Sequence, residues 1–390
     1  MKVTYILHST GPHEGSTIAF LRLLTIVRKK GIEPTVIVPD TEGIYPLLLN
    51  DGVDVVSLNF RIATYPRIRT LKDAVLWLPR LIGRIVVNKI ASRSVIDICR
   101  QRKSQLIHTN VSVVDIGYRA ARQLSIPHIW HLREYSDLIG YHYIFTRAQQ
   151  LRNYKTDLSY TVCITRGVQQ YYQLEKHPYS RVIYDGAIEK EYETITSSIA
   201  QPFFLFAGRL EKGKGIEDLL VAYTLYAKQC PMHWPLRIAG DTAIVSYKQH
   251  LKNFVRQHDM DNDITFLGMR NDIHNLYAQA GALIMSSLSE GFGLATAEAM
   301  NAGCLVIGFD ASGTKEQFDN GKQFTGQEIA LRYTTQEELV LQMQHVTLTP
   351  QQDFLPMKLR AKQTVEHFYT DQKNAEQIIQ LYQGILDKTM

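Results

Sequence analysis

Three stretches of this 390-residue sequence carry residue types at spacings that could do chemistry. The first is Gly208-Arg-Leu-Glu-Lys-Gly213-Lys214-Gly215, between a strand-like run and a helix-like one. It has the glycine and lysine spacing of a phosphate loop, but Gly215 stands where Ser or Thr would hold magnesium. That argues against a nucleoside triphosphatase and leaves the phosphate chemistry intact. Arg209, Lys212 and Lys214 crowd the expected helix start, where the macrodipole is positive and cations are disfavoured. A bound anion would reverse that balance and use the free amides. A solvated charged turn, with Glu211, Glu217 and Asp218 as partners, fits the same residues.

The second stretch is Ser289-Glu290-Gly291-Phe292-Gly293-Leu294-Ala295-Thr296-Ala297-Glu298-Ala299-Met300. Gly291 and Gly293 permit a turn whose backbone comes close to a ligand. With a helix starting near Leu294, free amides point at that ligand, and Glu290 and Glu298 flank them. Two carboxylates about an amide-rich turn suit a ligand with hydroxyls at both ends and phosphate in the middle, the layout of a sugar nucleotide. The third glycine of a dinucleotide-binding loop is missing here, and also from Gly11-Pro-His-Glu-Gly15. Glu290 as a helix cap and Glu298 as a surface charge is the competing reading. The third stretch, Asp259-Met-Asp261-Asn-Asp263, could hold a divalent cation through its oxygens. It falls at the amino end of the next expected strand, opposite the edge where such sheets bind ligands, so a solvated turn is expected and no metal.

The elements that must position these residues are short apolar runs alternating with helical patterns. Strands are expected over 3–8, 34–38, 53–58, 105–109, 127–132, 158–163 and 181–184, then over 203–207, 236–239, 264–267, 282–286 and 305–308. They are short and mostly β-branched or apolar, as parallel strands buried on both faces should be. Helices are expected between them, at 16–30, 113–124, 215–228, 247–258 and 294–301 among others, and the tail from Pro356 reads as helix. The pattern lapses over 189–202, which reads as a linker. The expected architecture is α/β, with two Rossmann-like doubly wound domains facing a central cleft. They are an N-terminal domain over 1–188, the linker, and a C-terminal domain over 203–365. A C-terminal helix over 366–390 is expected to pack back on the first domain.

With these elements in place, the motifs resemble those of the retaining glycosyltransferases of family 4, which have the two-domain GT-B fold. The resemblance rests on Ala207 through Gly213-Lys214-Gly215, then Glu290-Gly-Phe-Gly with Glu298 eight positions on. It extends to Val162-Cys-Ile-Thr-Arg-Gly-Val168, Val182-Ile-Tyr-Asp-Gly186, Ile238-Ala-Gly-Asp241, Phe266-Leu-Gly268 and Ala302-Gly303-Cys-Leu-Val306. It implies transfer of a sugar from a nucleoside diphosphate sugar with retained configuration and no metal cofactor. Arg209 and Lys214 would neutralise the donor diphosphate, and Glu290 would hold hydroxyls of the transferred sugar. Amides of Phe292, Gly293, Leu294 and Ala295 would contact sugar and phosphate, and Glu298 the ribose. Gly268 and Met269 would lie against the base. His131, in Trp130-His-Leu-Arg133-Glu134, matches the family's histidine facing the donor sugar, and a satisfied core histidine is the plainer reading. Gly15 and Ser16 would supply amides to the phosphate, although Glu14 precedes them where the family usually has a second glycine. Asp185 stands where the family commonly has Asn. The implied acceptor is a glycan, a lipid-linked molecule or a protein, in cell-surface polysaccharide or glycoconjugate assembly. The alternatives are another GT-B enzyme, such as a sugar phosphorylase or sugar-nucleotide epimerase, and a non-catalytic GT-B subunit. Such a subunit would be expected to lose Glu290, Arg209 or Lys214, and all three are present.

Composition narrows the setting. Four scattered cysteines make neither a metal nor a disulfide pattern, and the run from Met1 to His8 reads as a first strand rather than a signal peptide, so a cytoplasmic location is expected. The formal net charge is +5, yet 61–103 holds eleven Lys and Arg opposed only by Asp73 and Asp97, so the rest of the chain is net negative. Nucleic acid is therefore not an expected partner. The basic residues of 61–103 interleave with Trp77, Leu78, Leu81, Ile82, Ile85, Val86 and Val87. Peripheral binding to an anionic membrane face and a solvated helix pair covering the sheet both fit that mixture.

Overall fold

The computed structural model describes residues 1–66, 68, 70–138, 140–144, 146–188 and 201–389. The chain divides into two units, Met1–Gly186 with Asp371–Met390, and Ala187–Thr370. In unit 1 seven strands form one parallel sheet: β1 (Lys2–Ile6), β2 (Glu33–Val38), β3 (Asp54–Ser57), β4 (Leu106–Thr109), β5 (His128–Leu132), β6 (Ser159–Cys163) and β7 (Ser180–Val182). Their order is β3-β2-β1-β4-β5-β6-β7. Alternate residues of the inner strands feed opposite faces. Tyr5, Val36 and Leu106 join one core cluster and Ile6, Ile37 and Ile107 the other. A strand that must be apolar on both faces reads as a continuous apolar run, which is what makes the inner strands legible.

The first cluster is closed by the helices Gly15–Lys29 and Asp371–Thr389. Ala375, Ile378, Tyr382 and Ile385 make the buried stripe of the latter, at the three- and four-residue spacing of one helix face. The tail divides five residues beyond the expected boundary, with the last helix starting at Asp371 rather than 366. The helix Leu355–Phe368 ends in unit 2, where Tyr369 is fully buried, its ring 5.1 Å from Phe292 and its hydroxyl bonded by Asn320 at 2.9 Å.

Unit 2 is a second parallel sheet of β8 (Gln201–Ala207), β9 (Leu236–Ala239), β10 (Ile264–Gly268), β11 (Ala280–Met285), β12 (Val306–Phe309) and β13 (Leu331–Tyr333). The order is β10-β9-β8-β11-β12-β13. Residues 189–200 of the expected linker lie outside the described residues, and its last two, Gln201 and Pro202, belong to β8 instead. Gln201 pairs in register with Ala280 at the start of β11, and Pro202 sits near the strand's beginning, where its missing N–H matters least. The edge strand β13 has three residues and pairs only with β12, too short a run to show in the sequence.

Both sheets are doubly wound. In unit 1 the order reverses between β1 and β4, and in unit 2 between β8 and β11. The loops leaving the carboxyl ends of those paired strands bound the crevice where such sheets bind ligands. Among the described residues no helix is long and apolar enough to cross a membrane.

Candidate functional site

In unit 2 the loops leaving β8 and β11 meet at the switch point. Gly208–Gly215 follows β8 and Ser286–Gly293 follows β11, so two motifs 76 residues apart are joined by one ion pair. Lys214 Nζ donates to Glu290 Oε1 at 2.6 Å, with both side chains mostly shielded from water. Burial would raise the Glu290 carboxyl, but the Lys214 ammonium, Ser287 and Arg209 together hold it below the ordinary carboxylate range. The pair is therefore an ion pair at neutral pH. The Ser286 hydroxyl anchors the backbone beneath it, donating to the Lys214 carbonyl at 2.8 Å. Gly215 turns the chain into the helix Ile216–Gln229 at φ +67°, and a Cβ there would fall 2.0 Å from the Ser286 carbonyl oxygen. The close approach of the two loops thus requires glycine at 215, the position that excluded the triphosphatase.

The amide turn is built as its glycines suggest. Gly293, at φ +94°, is the N-cap of the helix Leu294–Asn301, whose first-turn amides at Leu294 and Ala295 have no acceptor within the helix. Phe292 is buried against Tyr369 and fixes the turn from below. Glu298 is half-buried one turn along the same helix. A third element braces the turn. In the helix Ser312–Thr325, which follows β12, Gln317 donates to the carbonyls of Phe292 at 2.7 Å and Gly293 at 3.1 Å. The Gly313 amide donates to the Glu290 carbonyl at 2.9 Å. The hydroxyls of Ser289, Thr296 and Thr314 are buried there without a hydrogen-bond partner. No sequence motif marked Gln317 or Thr314. The available signal was their place just after a strand's carboxyl end.

The remaining residues expected in this unit are spread more widely. Arg209 is exposed and pairs with Glu211 at 3.2 Å, the local partner that the charged-turn reading named. Gly268 ends β10 at φ +69°, its carbonyl accepting from the Gly240 amide at 2.8 Å, and Met269 beside it is half exposed. Asp259 and Asp261 lie in the turn before β10, and Asp263 pairs with His233 at 3.0 Å, all at the amino end of that strand.

Unit 1 ends its central strands differently. After β1, Glu14 precedes Gly15 and Ser16 at the helix start, and its carboxylate is turned aside. Ser9 donates to it at 2.9 Å and His8 lies 3.3 Å away. Asn110, just past β4, donates to the Ser16 carbonyl at 3.0 Å. His131, in β5, is fully buried within a chain of polar groups. Asp185 takes both of its carboxylate contacts from Arg133 Nη1 at 2.5 Å, and Arg133 Nε donates to Asn110 at 3.1 Å. Arg133 Nη2 lies 3.3 Å from His131 Nδ1, which is 3.1 Å from His108 Nε2, and His108 Nδ1 meets the Tyr382 hydroxyl at 2.5 Å.

An arginine only donates, so His131 Nδ1 accepts and the neutral ring carries its proton on Nε2. That Nε2 has no hydrogen-bond partner and lies 4.0 Å from Asp185 Oδ1. Burial, the Arg133 charge and His108 push His131 well below the usual histidine range, and burial with Arg133 takes His108 down to about 3. The unusual Asp185 is thus the counter-charge of a buried arginine. The sequence showed Asp185 as a departure, but not its partner 52 positions away.

Comparison with known proteins adds to this geometry. Residues 189–350 match the family model for glycosyl transferases group 1. The matched segment runs from before β8 to beyond β13, so it takes in Lys214, Glu290, the amide turn and Glu298. An uncharacterized glycosyltransferase of Haemophilus influenzae is 29% identical over 119 residues, 30% of this chain and 33% of that protein. The lipopolysaccharide core biosynthesis mannosyltransferase of Rhizobium meliloti is 29% identical over 133 residues, 34% of this chain and 38% of that protein. The chain thus matches well under half the length of these curated relatives. The Anabaena protein HepE, solved in complex with UDP-glucose, superposes with a TM-score of 0.76 at 19% identity, over 98% of this chain and 100% of that one. That likeness is one of fold: two parallel-sheet α/β domains of the GT-B type.

Proposed function

We propose that this chain is a glycosyltransferase that moves a sugar from a nucleoside diphosphate sugar to an acceptor hydroxyl, with retained configuration and without a metal. The observation that carries this reading is the Lys214–Glu290 pair, set over the open amides of Leu294 and Ala295 at the β8/β11 switch point. A cation and a helix N-terminus in one crevice suit a diphosphate. The adjoining carboxylate suits hydroxyls on the sugar side, and Glu298 suits the ribose. The group 1 match over this segment and the UDP-glucose held by the Anabaena neighbour support it, and a uridine diphosphate sugar is the first donor to try.

In the reaction the bond from the anomeric carbon to the diphosphate oxygen breaks. The acceptor oxygen bonds to the same face of that carbon, and the acceptor proton passes to a diphosphate oxygen. Lys214 meets the charge growing on the leaving group, helped by Arg209 and the turn amides, and this electrostatic stabilisation is the protein's largest contribution. Glu290 holds Lys214 in place beforehand and orients the sugar. His131, a neutral imidazole whose buried Nε2–H has no partner of its own, is assigned to the sugar-facing side of the site. Gly15 and Ser16 offer amides at the start of their helix, and Gly268 and Met269 line the base. A cell-surface glycan acceptor is supported by the lipopolysaccharide enzyme among the relatives. The test is release of nucleoside diphosphate from a panel of donor sugars in excess EDTA. Release from at least one donor is expected, with the sugar's configuration unchanged in the product. Release only on adding Mn²⁺ or Mg²⁺, or from no donor, would contradict the reading.

A further inference from the structure

Outside both strand-end sites, unit 1 exposes an apolar surface that nothing among the described residues covers. Nine of the exposed large apolar side chains lie between Tyr65 and Ile90. Leu71 is 90% and Val75 78% exposed, on the short helix Leu71–Val75. On the helix Trp77–Arg102, Leu78, Ile82, Val86 and Ile90 recur every four residues and are about half exposed each. That spacing keeps them on one side, opposite Asn88, Ala91, Val95 and Cys99, which face the core. Lys89 and Arg93 share the exposed side, so the stripe runs about 22 Å from Leu78 to Arg93.

The basic residues of this segment divide into two sets. Arg80 pairs with Asp73 at 2.5 Å, Arg84 donates to the Thr64 carbonyl at 2.7 Å, and Arg102 pairs with Asp54 at 2.7 Å. These three are part of the unit's own structure. Lys72, Lys89 and Arg93 have no acidic partner among the described residues. The two acids of the segment are engaged elsewhere, Asp73 with Arg80 and Asp97 with Arg100 at 3.9 Å.

We propose that this stripe is a docking surface for an anionic lipid bilayer. A face of Leu, Ile and Val seats at the headgroup boundary, while Lys and Arg extend their stems along it and leave their charges at the phosphates. A second copy of the chain is a poorer occupant, because burying the stripe against itself would take Lys89 and Arg93 out of water, and the two acids of this segment are already paired on each copy. The segment lies on the surface without spanning, as a helix of this composition must. This inference does not depend on the glycosyltransferase reading.

The experiment is co-sedimentation of the full chain with phosphatidylcholine vesicles, with and without phosphatidylglycerol. The wild type is expected to pellet with the anionic vesicles alone, and less as salt rises and the Debye length shrinks. Lys89→Gln with Arg93→Gln is expected to weaken the partition by about tenfold or more, since each basic residue adds appreciably near such a surface. Ile82→Ser with Val86→Ser is expected to do the same. All four positions are exposed, so unchanged melting temperatures are expected and serve as the check on folding. Failure of the wild type to pellet with either vesicle overturns the proposal, as does equal pelleting by the variants. A wild-type dimer in sedimentation velocity that the serine variant makes monomeric would assign the face to a second copy and overturn it as well.

Discussion

The two sheets have the same winding and the same kind of switch point, yet they finish their central strands with opposite chemistry. In unit 1 the polar groups are buried and tied to one another, from Asp185 through Arg133, His131 and His108 to Tyr382, and its histidines are held neutral. In unit 2 the polar groups sit on loops, part-exposed, as one ion pair over a turn of open amides. The first arrangement fixes a scaffold, within which His131 Nε2 has no hydrogen-bond partner. The second leaves charge and amides available to a ligand. A shared topology therefore says where a site lies, and the loops decide whether it is sealed or open.

The sharpest way to break this contrast is to remove the open charge. Lys214→Ala is expected to lower donor-dependent turnover by about 100- to 1000-fold, the usual cost of losing a donor to transition-state charge. Arg209→Ala should cost less, because that side chain is exposed and already paired with Glu211. Steady-state kinetics on the best donor checks both. Equal and small losses would remove Lys214 from the leaving-group role.

In the sealed unit the corresponding change acts on stability. Asp185→Asn leaves Arg133 buried beside two histidines without its counter-charge, and a loss of about 3 kcal/mol is expected. Denaturant unfolding measures it. A loss below about 1 kcal/mol would mean that Arg133 finds water or another acceptor, and that the chain is less closed than described.

The two glutamates of the open site should then separate. Glu290→Gln is expected to depress kcat by about 10- to 100-fold, since it loses the charge that holds Lys214 and the sugar. Glu298→Gln is expected mainly to raise KM, because ribose contacts are alike in ground and transition states. Identical kinetic defects would erase the division of labour between them.

The units also differ in their response to pH. A histidine whose folded pKa is depressed binds its proton in the unfolded chain first. The stability held by neutral His108, His128 and His131 is therefore complete above about pH 6.5 and is lost as pH falls below it. Glu290 is depressed as a carboxylate, so its contribution is complete above about pH 4.5 and is lost only as pH falls further. Between about pH 6.5 and 5 the fall in stability should thus come from unit 1, at up to about 1.4 kcal/mol per pH unit for each histidine. His108→Gln should flatten that slope while leaving the Lys214–Glu290 pair intact. A slope unchanged by the substitution would show that these rings are not held neutral.

The sequence made the scaffold and the open site legible for the same reason. Parallel strands buried on both faces leave apolar runs, and loops that approach a ligand closely need glycine and charge at short spacing. Gly213-Lys214-Gly215 and Glu290-Gly-Phe-Gly are local signals, and the fold brings them together. The sealed network left little trace because its members are spread over four distant segments, and no spacing rule links Asp185 to Arg133 or His108 to Tyr382. The brace by Gln317 was hidden for the same reason, and β13 by its three residues. The charge count over 61–103 showed an excess but could not sort Arg80 and Arg84, which the fold uses, from Lys89 and Arg93, which it leaves outward.

The most direct test of the central claim is binding at the β8/β11 crevice, read as the melting temperature of the full chain against a panel of nucleoside diphosphates. A ligand that binds only the folded state at a hundred times its Kd stabilises by about 2.7 kcal/mol, which is a clear upward shift. At least one nucleoside diphosphate is expected to raise the wild-type melting temperature, and Lys214→Ala should abolish that shift, read against the variant's own unliganded value, which falls because Glu290 loses its partner. A wild type that responds to no nucleoside diphosphate, or a shift that survives in Lys214→Ala, would contradict the assignment of the diphosphate to this site.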